Sequence, residues 1–248
     1  MNNSFQSSAQ SNNPWFVISI GLVFFMLGYG VNGMNLFSGG SGGGAQYAQV
    51  PSAPTPPPAP AADPEEPAPS IDSVPEVDPD TDHIRGNLDA TISLIEYSDY
   101  ECPFCKRHHP TMTQVMDAYG DDVNWVYRHY PLSFHPNAEP GALAGECVAE
   151  LGGNDAFWEF TDKVFAGTSF DFAGMAKEIG INEAQFKDCF DSKRHLQKIQ
   201  DQMAGGSSAG VNGTPGTIII NHDTDEVKLV SGAVPFATFK AAIDGMLN

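Results

Sequence analysis

Cys102-Pro103-Phe104-Cys105 follows an apolar run, Thr91 to Tyr97, and opens a segment that reads as a helix. Two cysteines with two residues between them can close a small disulfide without moving the backbone. Proline directly after the first cysteine suits the first helical position, where its missing N–H costs nothing. The first sulfur then sits at the helix N-terminus, where unpaired N–H groups and the helix dipole favour a thiolate. A dithiol built this way is suited to disulfide exchange.

Outward from the cysteine pair, Thr91 to Tyr97 predicts a strand by its β-branched and aromatic content. Pro103 to Tyr119 predicts a helix, kinked at Pro110. Val123 to Tyr130 is a second strand. From Asn137 to about Gln202 the pattern is helical, with breaks at Gly152-Gly153 and around Gly167. Thr217 to Asn221 and Val227 to Val230 read as a hairpin joined by His222 to Glu226, and Pro235 to Leu247 as a closing helix. The folded domain therefore runs from His83 to Asn248, and its class is α/β.

The preceding residues have a different character. Residues 1–13 form a polar tail, expected on the cytoplasmic side. Trp15 to Phe37 is mostly apolar, and its cleanest part, Trp15 to Val31, sits at the lower length limit for a bilayer span. No Lys or Arg flanks it, so charge does not orient it. A cleaved signal peptide is the competing reading, with Gly43-Gly44-Ala45 as a poor cleavage site. The missing positive n-region favours a transmembrane anchor over 14–37. Residues 38–82 then read as a linker, glycine-rich from Ser38 to Gly44, dense in Pro and Ala from Val50 to Pro69, and acidic to Asp80. Its Pro/Ala part lacks apolar surface to bury and is expected to stay disordered and extended, with a reach of roughly 60 Å.

The chain carries a formal net charge of −19, and none of its 12 Lys and Arg lies before residue 81. That acidity argues against nucleic acid or an anionic membrane surface as partners. Four cysteines in 248 residues do not make a small disulfide scaffold. No internal repeat is visible, and no metal, nucleotide or organic cofactor site is apparent.

The element order, with a cysteine pair at the end of the first strand, resembles the thioredoxin fold interrupted by a helical insertion at about 137–204. Local motifs sharpen the likeness: Glu96-Tyr-Ser-Asp-Tyr-Glu-Cys-Pro-Phe-Cys105, Tyr127-Arg-His-Tyr-Pro-Leu132 followed by His135-Pro136, Phe157-Trp-Glu-Phe160, and Gly210-Val-Asn-Gly-Thr-Pro-Gly-Thr217. Together they resemble the DsbA-like thiol:disulfide oxidoreductases, especially their membrane-tethered or secreted bacterial branch. The resemblance implies Cys102 as nucleophile and Cys105 as resolving thiol. It implies a cis Thr214-Pro215 bond facing the pair, whose Thr214 backbone pairs with an extended substrate. Gly216 is unusual there, since a β-branched or aromatic residue is expected as the next strand starts. Phe104 departs from the histidine that some strongly oxidising relatives carry between their cysteines.

Glu96 shares a strand face with Ile92 and Leu94. A carboxylate desolvated there would have a raised pKa and could relay a proton to or from Cys105; the resemblance implies an acid at this place, since DsbA-like proteins often carry one. The plain alternative is a partly exposed structural carboxylate. Lys106, Arg107, His108 and His109 could add positive charge near Cys102, but helical spacing points them in different directions, and the plain reading is solvated surface charge. A zinc site from Cys102, Cys105, His108 and His109 is disfavoured because one short helix would supply all four ligands. Cys147 and Cys189 both lie in helical patterns of the insertion. Bonded, they would close a loop of about 43 residues, worth about 4 kcal/mol. Unbonded, they would pack as buried thiols.

The resemblance implies an extracytoplasmic oxidase that introduces disulfides into secreted or envelope proteins. Its partners would be the thiols of unfolded proteins and a quinone-linked membrane protein of the DsbB or VKOR type. The alternatives are a tethered reductase or isomerase of the same fold, or a redox-inert chaperone. Isomerases of this fold usually add an N-terminal dimerisation domain, and here an anchor and linker occupy that space, which favours the oxidase; a monomer is expected. A stable disulfide donor also requires an oxidising compartment.

Overall fold

Five strands form one sheet, and the order of their burial explains where the site sits. In a computed structural model describing residues 69–248, β1 is His83–Gly86, β2 Ile92–Ser98, β3 Val123–His129, β4 Gly216–Asn221 and β5 Glu226–Ser231. The sheet order is β1-β3-β2-β4-β5. β2 and β3 are parallel; every other pairing is antiparallel. The central strand β2 is buried along its whole length, as a strand covered on both faces must be.

The helices are α1 (Pro103–Tyr119), α2 (Ala138–Ala166), α3 (Phe172–Glu178), α4 (Glu183–Ser192), α5 (Leu196–Ser208) and α6 (Phe236–Leu247). α1 is the crossover between parallel β2 and β3 and runs through Pro110 as one helix. α2 breaks at Gly153, whose φ of 80° and ψ of −174° leave the helical region. Helices α2 to α5 are the insertion. Ile92 and Leu94 pack with Met112 and Val115 of α1, Phe239 and Ile243 of α6, and the aromatic side of α2. Ile95 and Tyr97 point the other way, into a second cluster with Ile218, Ile220, Ala209 and Val211.

Two features depart from the sequence reading. β1 is a four-residue strand that pairs with β3, where no strand was expected before Thr91. The end of the expected linker is also part of the domain. Val74 is buried, and Arg128 of β3 donates to the backbone oxygens of Pro75 and Glu76 and to both carboxylate oxygens of Asp82. A buried guanidinium needs acceptors for its donors, and this acidic stretch supplies them. The expected anchor at 14–37, the polar tail before it, and linker residues up to 68 lie outside the described residues. Among the described residues no helix is long and apolar enough to cross a membrane.

Candidate active site

β2 delivers the chain to a tight turn, Asp99 to Glu101, and α1 begins at once. Cys102 N–H donates to the Asp99 carbonyl at 3.1 Å. The Asp99 carboxylate accepts from Glu101 N at 2.8 Å, Leu132 N at 3.0 Å and the His135 ring at 2.7 Å. Asp99 thus fastens the cysteine turn to the loop after β3. Sequence reading passed over this residue, although it stands inside the motif.

Cys102 caps α1 with extended backbone (φ −69°, ψ 121°), and Pro103 occupies the first turn. Its sulfur is 3.5 Å from the Thr214 carbonyl oxygen, the contact a thiol makes by donating. The Thr214-Pro215 peptide bond is cis. The Cys102 thiol is lowered to about 5, chiefly by a hydrogen bond from the Cys105 thiol. Burial works against this, while Thr214 and the backbone N–H groups of Cys105 and Phe104 reinforce it. Cys105 is fully buried and is pushed well above the ordinary thiol value, first by burial, then by its bond to Cys102 and the charge of Glu96.

Glu96 lies beneath this pair, fully buried at the middle of the sheet. Its direct neighbours across the strands are Tyr127 and Thr217. Trp125 Nε1 donates to Glu96 Oε2 at 2.9 Å, and His108 Nε2 stands 4.0 Å from the same oxygen and 3.3 Å from Thr217 Oγ1. Burial raises the Glu96 carboxyl to about 7, against the lowering effect of hydrogen bonds from Ser98 and Trp125. Glu96 is therefore a desolvated carboxylate, not a partly exposed one.

The basic residues of α1 divide. Lys106 donates to the Gly167 carbonyl, and Arg107 lies over the Phe104 ring at 4.9 Å from its centroid. His108 and His109 are buried rather than solvated. Burial, with the neighbouring His109, lowers His108 to about 4, and so it is neutral at pH 7. His109 bonds Asp162 at 2.8 Å between the rings of Trp125 and Phe165. The two imidazoles face Glu96 and Asp162, so they do not converge on the sulfurs as zinc ligands would. A signal for their burial was present: positions 105, 108, 109, 112 and 115 recur at helical spacing on one face.

Cys147 of α2 and Cys189 of α4 are joined, with 1.97 Å between the sulfurs, and both are fully buried. They belong to the insertion and stand apart from the Cys102 pair in sequence and in bonding.

A profile of the thioredoxin family matches residues 78–245, more than half of the chain. Among solved structures, DsbA2 of Pseudomonas aeruginosa is 29% identical with a TM-score of 0.58, covering 66% of this chain and 94% of that one. The chain is a DsbA-like member of the thioredoxin family. α-DsbA1 of Wolbachia pipientis, 21% identical with a TM-score of 0.59 over 70% of this chain and 92% of its own, shares the fold with this DsbA-like domain. A curated relative, Na(+)/H(+) antiporter NhaA 1 of Salinispora arenicola, is 31% identical over 176 residues, 67% of this chain. The chain spans 26% of that relative's length.

Proposed function

We propose that the domain is an extracytoplasmic thiol:disulfide oxidoreductase acting as an oxidase. In this reading it passes a Cys102–Cys105 disulfide to thiols of secreted or envelope proteins, as a monomer tethered by the anchor expected at 14–37. The observation that carries the reading is the opposite setting of the two thiols: Cys102 caps the N-terminus of α1 beside the Phe104 and Cys105 N–H groups, which lowers it, whereas Cys105 is fully buried near Glu96, which raises it.

The chemistry follows from that opposition. A substrate thiolate attacks the Cys102 sulfur, the Cys102–Cys105 bond breaks, and Cys105 departs with the electron pair. Glu96, whose carboxyl burial raises to about 7, lies in the same buried cluster and in this reading protonates it. A second substrate thiolate then attacks the substrate sulfur of the mixed disulfide. Cys102 leaves as a stabilised thiolate, the substrate holds the new disulfide, and the domain is a dithiol. Exposed Phe104, between the cysteines, offers apolar contact to an unfolded chain. A quinone-linked membrane protein of the DsbB or VKOR type would return the domain to its disulfide form. The buried Cys147–Cys189 disulfide fits the oxidising compartment this requires.

The test is stoichiometric transfer from the oxidised protein to a reduced, unfolded substrate bearing two cysteines. One disulfide should pass per chain, and Cys102→Ser should abolish transfer. No transfer by the oxidised wild type, together with fast reduction of disulfide substrates by the reduced form, would make it a tethered reductase instead.

A further inference from the structure

Where edge strand β1 and its neighbour β3 meet α2, three metal-ligating side chains from three elements come together. His83 of β1, His129 at the end of β3 and Glu146 of α2 are all buried. His83 Nε2 is 2.9 Å and His129 Nε2 3.3 Å from Glu146 Oε1. The three ligand atoms all lie within 4.8 Å of one another. Four-coordinate zinc at bond lengths of about 2.0–2.1 Å spaces its ligand atoms by roughly 3.4 Å, so the cluster is close to that size.

Hydrogen bonding satisfies this cluster only in part: His83 Nε2 bonds Glu146 Oε1, and Lys198 Nζ bonds Glu146 Oε2. His129 Nε2 is buried without a hydrogen-bond partner among the described residues. Lys198 Nζ donates to Glu146 Oε2 at 2.7 Å and also faces His83 Nε2 at 3.4 Å. One imidazole nitrogen cannot accept from that ammonium and donate to the carboxylate at once. Stacking on Phe157, ring centroids 3.6 Å apart, fixes the plane of His83.

We propose that His83, His129 and Glu146 form a binding site for a zinc-class divalent ion. Two imidazole nitrogens and one carboxylate oxygen suit Zn2+ or Co2+, whereas Ca2+ and Mg2+ call for oxygen alone. Lys198 is the competing cation. Its side chain is 29% exposed, so it can withdraw to water as the ion enters, leaving a water to complete the coordination. The ion would join β1 and β3 to the insertion helix α2 and stabilise the folded chain by mass action.

The experiment uses the full chain, stripped with chelator, with Cys102 and Cys105 oxidised so that their sulfurs cannot bind metal. Equilibrium dialysis with Zn2+ should give one ion per chain, and Co2+ should show the visible bands of a four-coordinate site with nitrogen ligands. His129→Gln should lose that ion. Lys198→Gln should bind it at least about tenfold tighter, the effect of removing a charge worth about 1.4 kcal/mol. Absence of binding by both the wild type and Lys198→Gln would overturn the proposal. So would Zn2+ affinity left unchanged by His83→Gln and His129→Gln, which would put the ion elsewhere.

Discussion

A sulfur in the first turn of α1 is within reach of the backbone N–H groups of Phe104 and Cys105, and of Thr214 across the gap. The Cys105 sulfur, one turn further in, is fully buried. Titrating the thiolate ultraviolet absorbance of the reduced protein should therefore show Cys102 ionising near 5. Thr214→Val keeps the carbonyl that the thiol meets but removes a buried hydroxyl that has no other partner among the described residues and is free to donate to the thiolate; a hydrogen bond to a charged group is worth ~1.5 kcal/mol, so the midpoint should rise by about one unit. An unchanged midpoint would mean that Thr214 does not act on the sulfur. Glu96 gives an opposite sign. Its folded pKa, about 7, lies above its ordinary 4.5, so the fold binds this proton more tightly than the unfolded chain does. The stability it contributes is complete below pH 4.5 and is lost as pH rises through 7, a swing of roughly 3 kcal/mol. Urea unfolding of Glu96→Gln should show a variant more stable than wild type at pH 8, with the gap closing toward pH 4. A gap constant with pH would refute the assignment. Glu96 itself was legible because it shares a strand face with Ile92 and Leu94. Its neighbours Trp125, Tyr127 and Thr217 were not, since the sheet register that brings them together is absent from local sequence.

At the scale of elements, the sequence shows what is periodic or punctuated. Helix Pro103–Tyr119 carries its own proline start and amphipathic face, so its bounds are readable. β1 is four residues long and lacks a pattern of its own; its reality comes from pairing with β3. Residues 71–82 look like linker by composition; packing of Ile71, Val74 and Val77 on the second cluster and the bonds from the Arg128 guanidinium make them part of the domain. Arg128→Met leaves Asp82 buried without its cation, which should cost about 3–5 kcal/mol. It should also open this segment to proteolysis while a core-facing control, such as the Ile95 region of β2, stays protected. Equal protease resistance in variant and wild type would deny the arginine that role. The Cys147–Cys189 link joins α2 to α4 through cysteines 42 residues apart in the chain. Its double serine variant should lose about 4 kcal/mol in chemical unfolding. A loss under about 1 kcal/mol would mean that packing of α2 on α4, and not the covalent link, holds the insertion.

For the whole molecule, the two thiols decide which way electrons flow. A disulfide is oxidising when its reduced form is stabilised, and a Cys102 thiolate at neutral pH is that stabilisation. The potential of the domain, equilibrated against glutathione buffers with Cys102 and Cys105 as reporters, should lie above about −180 mV, toward the roughly −120 mV of DsbA. Its pH dependence supplies an independent check. Above the Cys102 midpoint of about 5, and up to the raised Cys105 value, reduction takes up two electrons and one proton. The potential should therefore fall by about 30 mV per pH unit across this range, since a tenfold change in a two-electron equilibrium is ~29.6 mV. Below pH 5 a second proton is taken up and the slope should double. A slope of about 60 mV per unit through pH 7 would mean both thiols are protonated there. Cys102 would then be an ordinary leaving group, and a potential near the roughly −270 mV of thioredoxin would reverse the direction of exchange.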